Sequence, residues 1–465
     1  MGLFKWLKGV IGHMFRKNDA ARAFETDIIL SDAMNAAITA WYNIIAGRPY
    51  WLNKDDDIET INFAKFIASD TAKKICLDID INTDGSARAD YIMEIIKPFR
   101  KVLRDKVEDA CCVGGIMFKP NGNGTTACID YIPASDFLVT EQNSNGDIRG
   151  AIFFDYYQSG KKYYTRMEYH RFEEEHYRIT NKAYCSDRKD QLGKEINIAI
   201  VPVWAGMEPE VTLENVTDTL FAYYKMPYNN TIDSSSPLGV SVFSNAIQEL
   251  RDLDIAWSRK SGEVEDSKHL TIVSPSVVQY AKQKKVRLPR FLKPIPLGDV
   301  KGVEDPVHEH VATMLTEERI RDINSILSMI STKCGFSQGQ FCLDGKTGMI
   351  TATQVESDDR ETIETIKDMR DALKDTIEHL IYAIGVYADL YNYAPVGEVE
   401  LNFSFGDLTY SYDEDRNRWL QYATQGRVPF WMYLVKFEGM SEEEAKEVCR
   451  LAKEEEESKG IFDEE

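Results

Sequence analysis

The stretch PLGVSVFSNAIQELRDLDIAW occupies residues 237–257 and marks a change in the periodicity of the chain. Upstream of it, apolar residues alternate as they do in strands. After Gly239 they recur every three or four residues, which is the spacing of an amphipathic helix. The apolar stripe consists of Phe243, Ala246, Ile247, Leu250, Leu253 and Trp257. We predict a helix that ends near Lys268, with a structural boundary in the turn-rich segment 227–237 before it.

A second amphipathic helix is predicted for His310–Cys334, and the segment between the two helices, Thr271–Pro306, is strand-like and punctuated by proline. This segment contains the one strongly basic island of the chain, which includes no acid. Its cations are Lys282, Lys284, Lys285, Arg287, Arg290 and Lys293. Such an island can contact either DNA or an acidic protein surface, and we favour a protein partner.

A glycine-rich loop, 335–350, comes next, and a long helix is predicted from about Ala352 to Asn392. Roughly forty residues far exceeds the usual helix length of about 11 to 12 residues. Because so long a helix rarely lies inside a compact monomer, we expect a bundle, a coiled coil or a radial assembly.

The rest of the chain is expected to mix helices and strands. Helices are predicted at Ile28–Ala46, from Ile58 to Asp70 or beyond, at Ala89–Cys112 with an interruption at Pro98, and from Asp413 onward. Strands are predicted at Ile75–Ile81, Leu220–Met226 and Glu398–Phe405. Between Ala151 and Cys185 three alternating runs predict an antiparallel meander with one face in water.

Composition limits the classes of function. The 465-residue chain has a formal net charge of −21, the opposite of the balance found in proteins that grip nucleic acid through phosphates. An acidic wall would still let a DNA duplex slide past, so the charge favours a conduit over a clamp. Eight cysteines without C-x-x-C spacing indicate folding in a reducing compartment, and the adjacent Cys111 and Cys112 are interpreted as small core residues.

The N-terminal stretch Met1–Lys17 is amphipathic and basic, with apolar residues at helical spacing between lysines and an arginine. It is too short and too interrupted for a spanning helix. We expect an arm that packs on a neighbouring subunit, and contact with a membrane surface is the alternative.

Several short patterns resemble catalytic or metal motifs, and each lacks a required part. Gly335–Gly339 matches G-x-S-x-G around Ser337, but a helix precedes it, and the only later histidine, His379, lies in the long helix. Gly345-Lys346-Thr347 lacks the earlier glycine of a P-loop. Asp80–Gly85 copies half an EF-hand, yet Tyr91 stands where a glutamate is needed. The histidines form no metal pattern, so we expect neither an enzyme nor a cofactor.

Three places in the sequence together resemble the portal proteins of tailed bacteriophages, in particular the siphovirus-type family of phages of Gram-positive hosts. Pro237–Phe243 is similar to the start of the family's first stem helix. Thr351–Val355 is similar to a Thr-Ala-Thr-Glu-Val element that begins the family's long helix, with Gln354 in place of glutamate. Val399–Phe405, followed by the helical segment Gly439–Ala445, is similar to the approach to its crown.

The resemblance implies an α+β portal fold with a mixed α/β wing, two stem helices, a small α/β clip, a long tunnel or wing helix and a helical crown. The implied regions are an N-terminal arm and wing at 1–236, stem helix 1 at 237–269, a clip at 270–309, stem helix 2 at 310–336, a tunnel loop at 337–351, the long helix and a wing strand at 352–410, and a crown at 411–465.

The resemblance also implies a function. Portal subunits form a ring, usually of twelve copies, at one capsid vertex, through which a separate terminase drives double-stranded DNA. The implied partners are terminase, a head-completion or adaptor protein, and the major capsid and scaffold proteins, in the virion and, during assembly, in the host cytoplasm. The tunnel-loop residues implied to face DNA are Gln338, Gly339, Gln340, Phe341, Lys346 and Met349. The alternative is another minor head or adaptor protein of a phage, without a DNA channel.

Overall fold

The chain is an α+β protein whose sheets are mainly antiparallel. The computed structural model describes residues 17–52, 58–122, 126–266, 270–273, 283–284, 292–294, 307–310, 316–343, 360–406 and 412–460. Two compact units divide the chain, the first formed by residues 1–346 with 361–404 and the second by 347–360 with 405–465.

The first unit begins with helices that match the predicted periodicity. They are α1 (17–24), α2 (Asp32–Ile45), α3 (Phe63–Ile75) and α4 (Ala87–Val113). Helix α2 begins later than predicted because the hydroxyl of Ser31 accepts a hydrogen bond from the amide of Met34 and so caps the helix there. Ser86 caps α4 in the same way, through the amide of Ala89.

Two local predictions in this region were wrong. Pro98 does not interrupt α4, which continues through it, because Ile95, Ile96 and Phe99 around the proline are buried and stabilise the helix. The segment beginning at Ile75 is not a strand, since Ile75 is a fully buried residue of α3 and the strand starts only at Asp80.

Strand β1 (Asp80–Asp84) pairs with the distant β14 (Glu400–Ser404) in an antiparallel two-stranded sheet. The EF-hand-like residues therefore form a strand and the turn that follows it, where Gly85 has φ +114°. A side chain at that φ would be strained, which explains the glycine without a calcium site.

Two larger sheets form the body of the unit. A three-stranded sheet has the order β10 (Ala222–Lys225), β2 (Gly115–Gly122), β3 (Ala127–Pro133). The second sheet places β4 (Phe137–Gln142), β5 (Ile148–Ser159), β6 (Lys162–Glu173), β7 (His176–Ser186) and β8 (Lys194–Ile196) in order, with β9 (Glu210–Leu213) also on β7. The predicted meander is confirmed.

Helix α5 (Ile247–Asp266) follows a 3₁₀ turn at Ser244–Ala246, and α6 (Thr316–Lys333) packs beside it. Between them the described strands β11 (Leu270–Val273), β12 (Leu292–Pro294) and β13 (Val307–His310) form a small sheet in the order β12-β11-β13. The prediction that the second helix starts at His310 was wrong, because His310 pairs with Leu270 in this sheet.

Helix α7 (Arg360–Leu390) is the described part of the long helix, whose predicted first turns at Ala352 lie outside the described residues. Its inner face is buried in its own chain along the full length, through residues such as Met369, Leu373, Ile377 and Ile384. The chain itself therefore covers this face of the helix, and our inference from its length that the chain assembles stays a prediction.

The second unit contains α8 (Tyr412–Thr424), α9 (Phe430–Glu438) and α10 (Glu442–Gly460) around a small core of Tyr433, Leu434, Phe437 and Ala445. Ser441 and Glu444 form a reciprocal capping box at the start of α10. The helical prediction for this part of the chain is confirmed.

Candidate functional site

The ends of α6 and α7 are joined at the base of the predicted tunnel loop. The amide of Ser337 donates to the hydroxyl of Thr362 at 2.9 Å, that hydroxyl donates to Ser337 Oγ at 3.1 Å, and the amide of Thr362 donates to Ser337 Oγ at 3.3 Å. Ser337 thus accepts a hydrogen bond from an amide in the first described turn of α7. We call this pair the Ser337–Thr362 clasp.

The described tunnel-loop residues lie in two environments. Gln338 and Gly339 are exposed and Gln340 is half-buried in the turn after the clasp. Phe341 is 6% exposed, with its ring against Phe63, Phe66 and Phe336. Phe341 is therefore a core residue of this chain, contrary to the prediction that it faces DNA. Lys346 and Met349 lie outside the described residues.

The G-x-S-x-G motif does not assemble a hydrolase triad with His379. The hydroxyl of Ser337 is buried in the clasp, whereas His379 Nε2 bonds the carbonyl oxygen of Thr219 at 2.9 Å. Thr362 and His379 lie on the same helix, roughly 25 Å apart at about 1.5 Å per residue. The serine connects the end of α6 to α7.

The basic island lies mostly outside the described residues. Lys284 is an exposed turn residue, and Lys293 stands in β12 opposite Ile272. The other four members, Lys282, Lys285, Arg287 and Arg290, fall in the segments that are not described.

The Pro-Leu-Gly segment packs its backbone directly on the end of α4. A Cβ atom on Gly239 would lie 2.0 Å from the carbonyl oxygen of Gly114. A Cβ atom on Gly114 would lie 2.3 Å from the carbonyl oxygen of Gly239. The hydroxyl of Ser241 and the amide of Val242 then donate to the carbonyl of Cys111. Glycine is required here because two backbones are in contact.

A buried ionic cluster, which we did not predict from the sequence, joins the two larger sheets. Lys119 of β2 reaches Glu168 of β6 at 2.7 Å, and Arg166 of β6 reaches the same carboxylate at 3.0 Å. The side chain of Lys119 is 3% exposed, that of Glu168 is 9% exposed and that of Arg166 is 7% exposed. Burial alone would raise the pKa of Glu168, but the two cations and a hydrogen bond from His170 hold it well below its usual range.

His170 connects the cluster to the backbone. The amide of Leu220 donates to the hydroxyl of Tyr177 at 3.1 Å, and that hydroxyl lies 2.9 Å from His170 Nδ1. Burial lowers the pKa of His170 despite the opposing effect of Glu168. A neutral ring therefore accepts from Tyr177 at Nδ1 and donates from Nε2 to Glu168, at 2.8 Å.

An open cleft of about 260 Å³ lies above this cluster, between the three-stranded and six-stranded sheets. Its lining includes Lys119, Arg166 and Glu168, with Asp130 and Asp155 nearer the solvent. The sequence did carry a signal, Arg-x-Glu-x-His at alternate positions 166–170. We interpreted such polar positions as a water-facing side of the meander, which was wrong, because both faces of β6 are buried at this point.

Among the described residues, no helix is both long enough and apolar enough to cross a membrane. The same residues contain no group of three or more His, Cys, Asp or Glu side chains arranged to hold a metal ion. No protein-family model and no curated protein matches this chain.

Proposed function

We propose that this chain is a portal subunit of a tailed bacteriophage, which forms a ring of about twelve copies at one capsid vertex. Double-stranded DNA would pass through the ring during packaging and ejection. The observation that carries the proposal is one arrangement in sequence order. The paired helices α5 and α6 flank the small sheet of β11, β12 and β13 in the sequence. The loop that starts at the Ser337–Thr362 clasp and the long helix α7 follow them.

The hairpin of α5 and α6 has the geometry that a channel wall needs. Lys333 at the end of α6 pairs with Glu249 at the start of α5 at 2.6 Å, so the helices run antiparallel. Strands β11 and β13 pair directly beyond the hairpin, so the inserted segment leaves and returns at one place. Copied around a rotation axis, such hairpins can line a hole while their inserted sheets meet a partner.

The net charge of the chain favours a ring that lets DNA pass rather than a ring that holds DNA tightly. The 76 acidic residues outnumber the 55 lysines and arginines, so the net charge of −21 repels phosphates and DNA would not be held tightly. A terminase ATPase that docks on the ring would supply the driving force. A head-completion or adaptor protein would then take the place of the terminase on the ring. Major capsid and scaffold proteins would surround the ring in the virion and during assembly in the host cytoplasm.

Electron microscopy of the purified full-length chain tests the proposal. We expect closed rings with an axial hole wider than a DNA duplex, and the same rings at one vertex of capsids. A stable monomer at micromolar concentration with no ring on capsids would refute the portal assignment. A ring whose hole is too narrow for DNA would favour the adaptor alternative.

The tunnel loop gives a second test. Deleting Gly339–Gly348 would also remove Phe341 from the core, so the sharper change replaces only residues 344–348 with Ser-Gly repeats. We expect intact rings but shortened or poorly retained packaged DNA. The matched control is the same five-residue replacement at the exposed residues 187–191. Normal packaged length in the loop variant would contradict the assignment of this loop to the channel wall.

A further inference from the structure

The cleft between the two larger sheets has the size of a site for one small group. Its volume is about 260 Å³, below the ~300–1,000 Å³ typical of pockets for drug-sized ligands. Its floor is rigid, because Lys119, Arg166 and Glu168 are mutually bonded and buried. Such a floor does not have to reorganise when a ligand enters.

The charges of the lining favour a cation. Lys119 and Arg166 supply two positive charges, and Glu168, Asp130, Asp136 and Asp155 supply four negative ones, a formal balance of −2. Glu168 already binds both cations at the floor, and Arg166 also lies 3.6 Å from Asp155. Asp155 is therefore partly neutralised, whereas Asp130 carries a negative charge that pairs with neither cation.

Among the carboxylates of the cleft, that of Asp130 would be stabilised most by a bound cation. Its Oδ2 accepts a hydrogen bond from the amide of Asn121 at 3.0 Å, and no lysine or arginine nitrogen of the described chain lies within ion-pair distance of it. Burial raises its pKa, Glu168 and Asp155 add to the rise, and Lys119 opposes it. An incoming cation would offset the burial of this charge.

Two further features match an organic cation. Aromatic rings of Tyr131, Phe153 and Phe154 line the cleft, and Lys119 Nζ already lies 5.4 Å from the centroid of Phe153. Ring faces attract ammonium and guanidinium groups. Asp155 is exposed at the opening, so a cationic group can reach the cleft from solvent.

We propose that this cleft binds the ammonium or guanidinium group of a small organic cation, presented either by a lysine or arginine side chain of a partner polypeptide or by a free polyamine. Asp130 and Asp155 bind the charge, and the aromatic rings flank it. The proposal does not depend on the ring or the channel, since every group it uses lies within one copy of the chain.

Titration of the full-length chain with blocked amino acids tests this. The probes are N-acetyl-arginine methylamide, N-acetyl-lysine methylamide and spermidine, and the uncharged comparison is N-acetyl-citrulline methylamide, which has nearly the shape of the arginine probe. We expect the charged probes to shift the amide resonances of Asn121, Asp130 and Asp155 and the citrulline probe to leave them unchanged. Binding should weaken as salt is added.

Matched variants assign the site. Asp130→Asn keeps the size of the side chain and its bond from Asn121, and should weaken binding about tenfold or more. Asp190→Asn makes the same charge change at an exposed position outside the cleft and should leave binding unchanged. If Asp130→Asn fails to fold by circular dichroism, Asp155→Asn replaces it, because Asn can still accept from Trp204.

The outcomes are distinct. Stronger binding of the arginine or lysine probe assigns the site to a polypeptide partner, and stronger binding of spermidine assigns it to a polyamine. Equal binding of the citrulline and arginine probes, equal affinity of the Asp130→Asn variant and the unchanged chain, or no binding at millimolar probe would overturn the proposal.

Discussion

Glu168 shows how one residue can join two sheets. Its carboxylate is buried, a state that costs several kcal/mol for an isolated charge. Lys119 and Arg166 offset that cost, and His170 donates the third bond. Because Lys119 comes from β2 and the other two from β6, the ion pair connects the sheets as well as neutralising the charge.

Removing this anion should destabilise the protein strongly. Glu168→Gln leaves the buried Lys119 without an ion pair among the described residues and leaves Arg166 only its longer pair with Asp155, at 3.6 Å. We expect the free energy of unfolding to fall by about 3–5 kcal/mol. Lys119→Met should cost less, because Arg166 and His170 still bind the carboxylate. Urea unfolding of both variants measures this. A loss in Glu168→Gln that is no larger than the loss in Lys119→Met would contradict the proposed balance of charges.

His170 should make the stability depend on pH. Its pKa is lowered in the folded protein from the ordinary value of 6.5, so the unfolded chain binds the proton more readily. Its contribution is complete above pH 6.5 and is lost as the pH falls through the folded pKa, with Glu168 adding a loss in more acid solution.

Thermal unfolding between pH 7.5 and pH 5 measures this effect. We expect the midpoint temperature to fall with pH, and the slope to be smaller in His170→Asn, which has no proton to gain. An unchanged slope in that variant would show that other groups cause the pH dependence.

At the scale of elements, the contact between Gly239 and Gly114 sets where the segment before α5 meets the end of α4. Gly239→Ala would place a Cβ 2.0 Å from a carbonyl oxygen, so the backbone has to move, and we expect a loss of about 2–3 kcal/mol. The control is Gly262→Ala inside α5, where a Cβ meets nothing within 4 Å. Alanine should there stabilise the helix by up to ~1 kcal/mol. Chemical unfolding should therefore show a lower free energy of unfolding for Gly239→Ala and a higher one for Gly262→Ala.

The C-terminal end of α7 is held by a buried arginine. The guanidinium of Arg88 donates to the carbonyl oxygens of Gly385, Ala394 and Pro395 and pairs with Asp389. Ala394 and Pro395 follow the helix, so Arg88 connects the chain beyond α7 to its last turns. The arrangement therefore needs the planar, multiple donors of arginine.

Two substitutions separate the charge of Arg88 from its geometry. Arg88→Met should lower the free energy of unfolding by about 3 kcal/mol, since partly buried carbonyl oxygens lose their donors and the pair with Asp389 is lost. Arg88→Lys keeps the charge but provides fewer fixed donors, so we expect an intermediate loss. Equal stability of the lysine variant and the unchanged protein would show that charge alone holds this end of α7.

At the scale of the whole molecule, the chain consists of two units with separate cores. A chain truncated after Gly406 should keep the first unit folded, because its sheets and α7 are complete by Ser404. We expect the truncated chain to unfold cooperatively with the pH dependence attributed to His170. Loss of cooperative unfolding would show that the first unit requires the second.

Local rules predicted much of the fold. Periodicity located the helices around Ile247, Ile323 and Ile366 and the strands of the meander, because each of these segments alternates or repeats according to its own geometry. It failed at Pro98 and at Ile75, where packing against neighbouring elements outweighed the local preference.

The candidate site was less predictable for the same reason. The sequence by itself determined the α+β class, the order of elements around residues 237–392 and the absence of a complete catalytic motif in its own patterns. Only the tertiary structure decided that Glu168 and Arg166 are buried, that Phe341 belongs to a core and that Ser337 bonds Thr362 of α7. Periodicity reports which residues share a face of one element, whereas burial and ion pairing depend on the second element that covers this face.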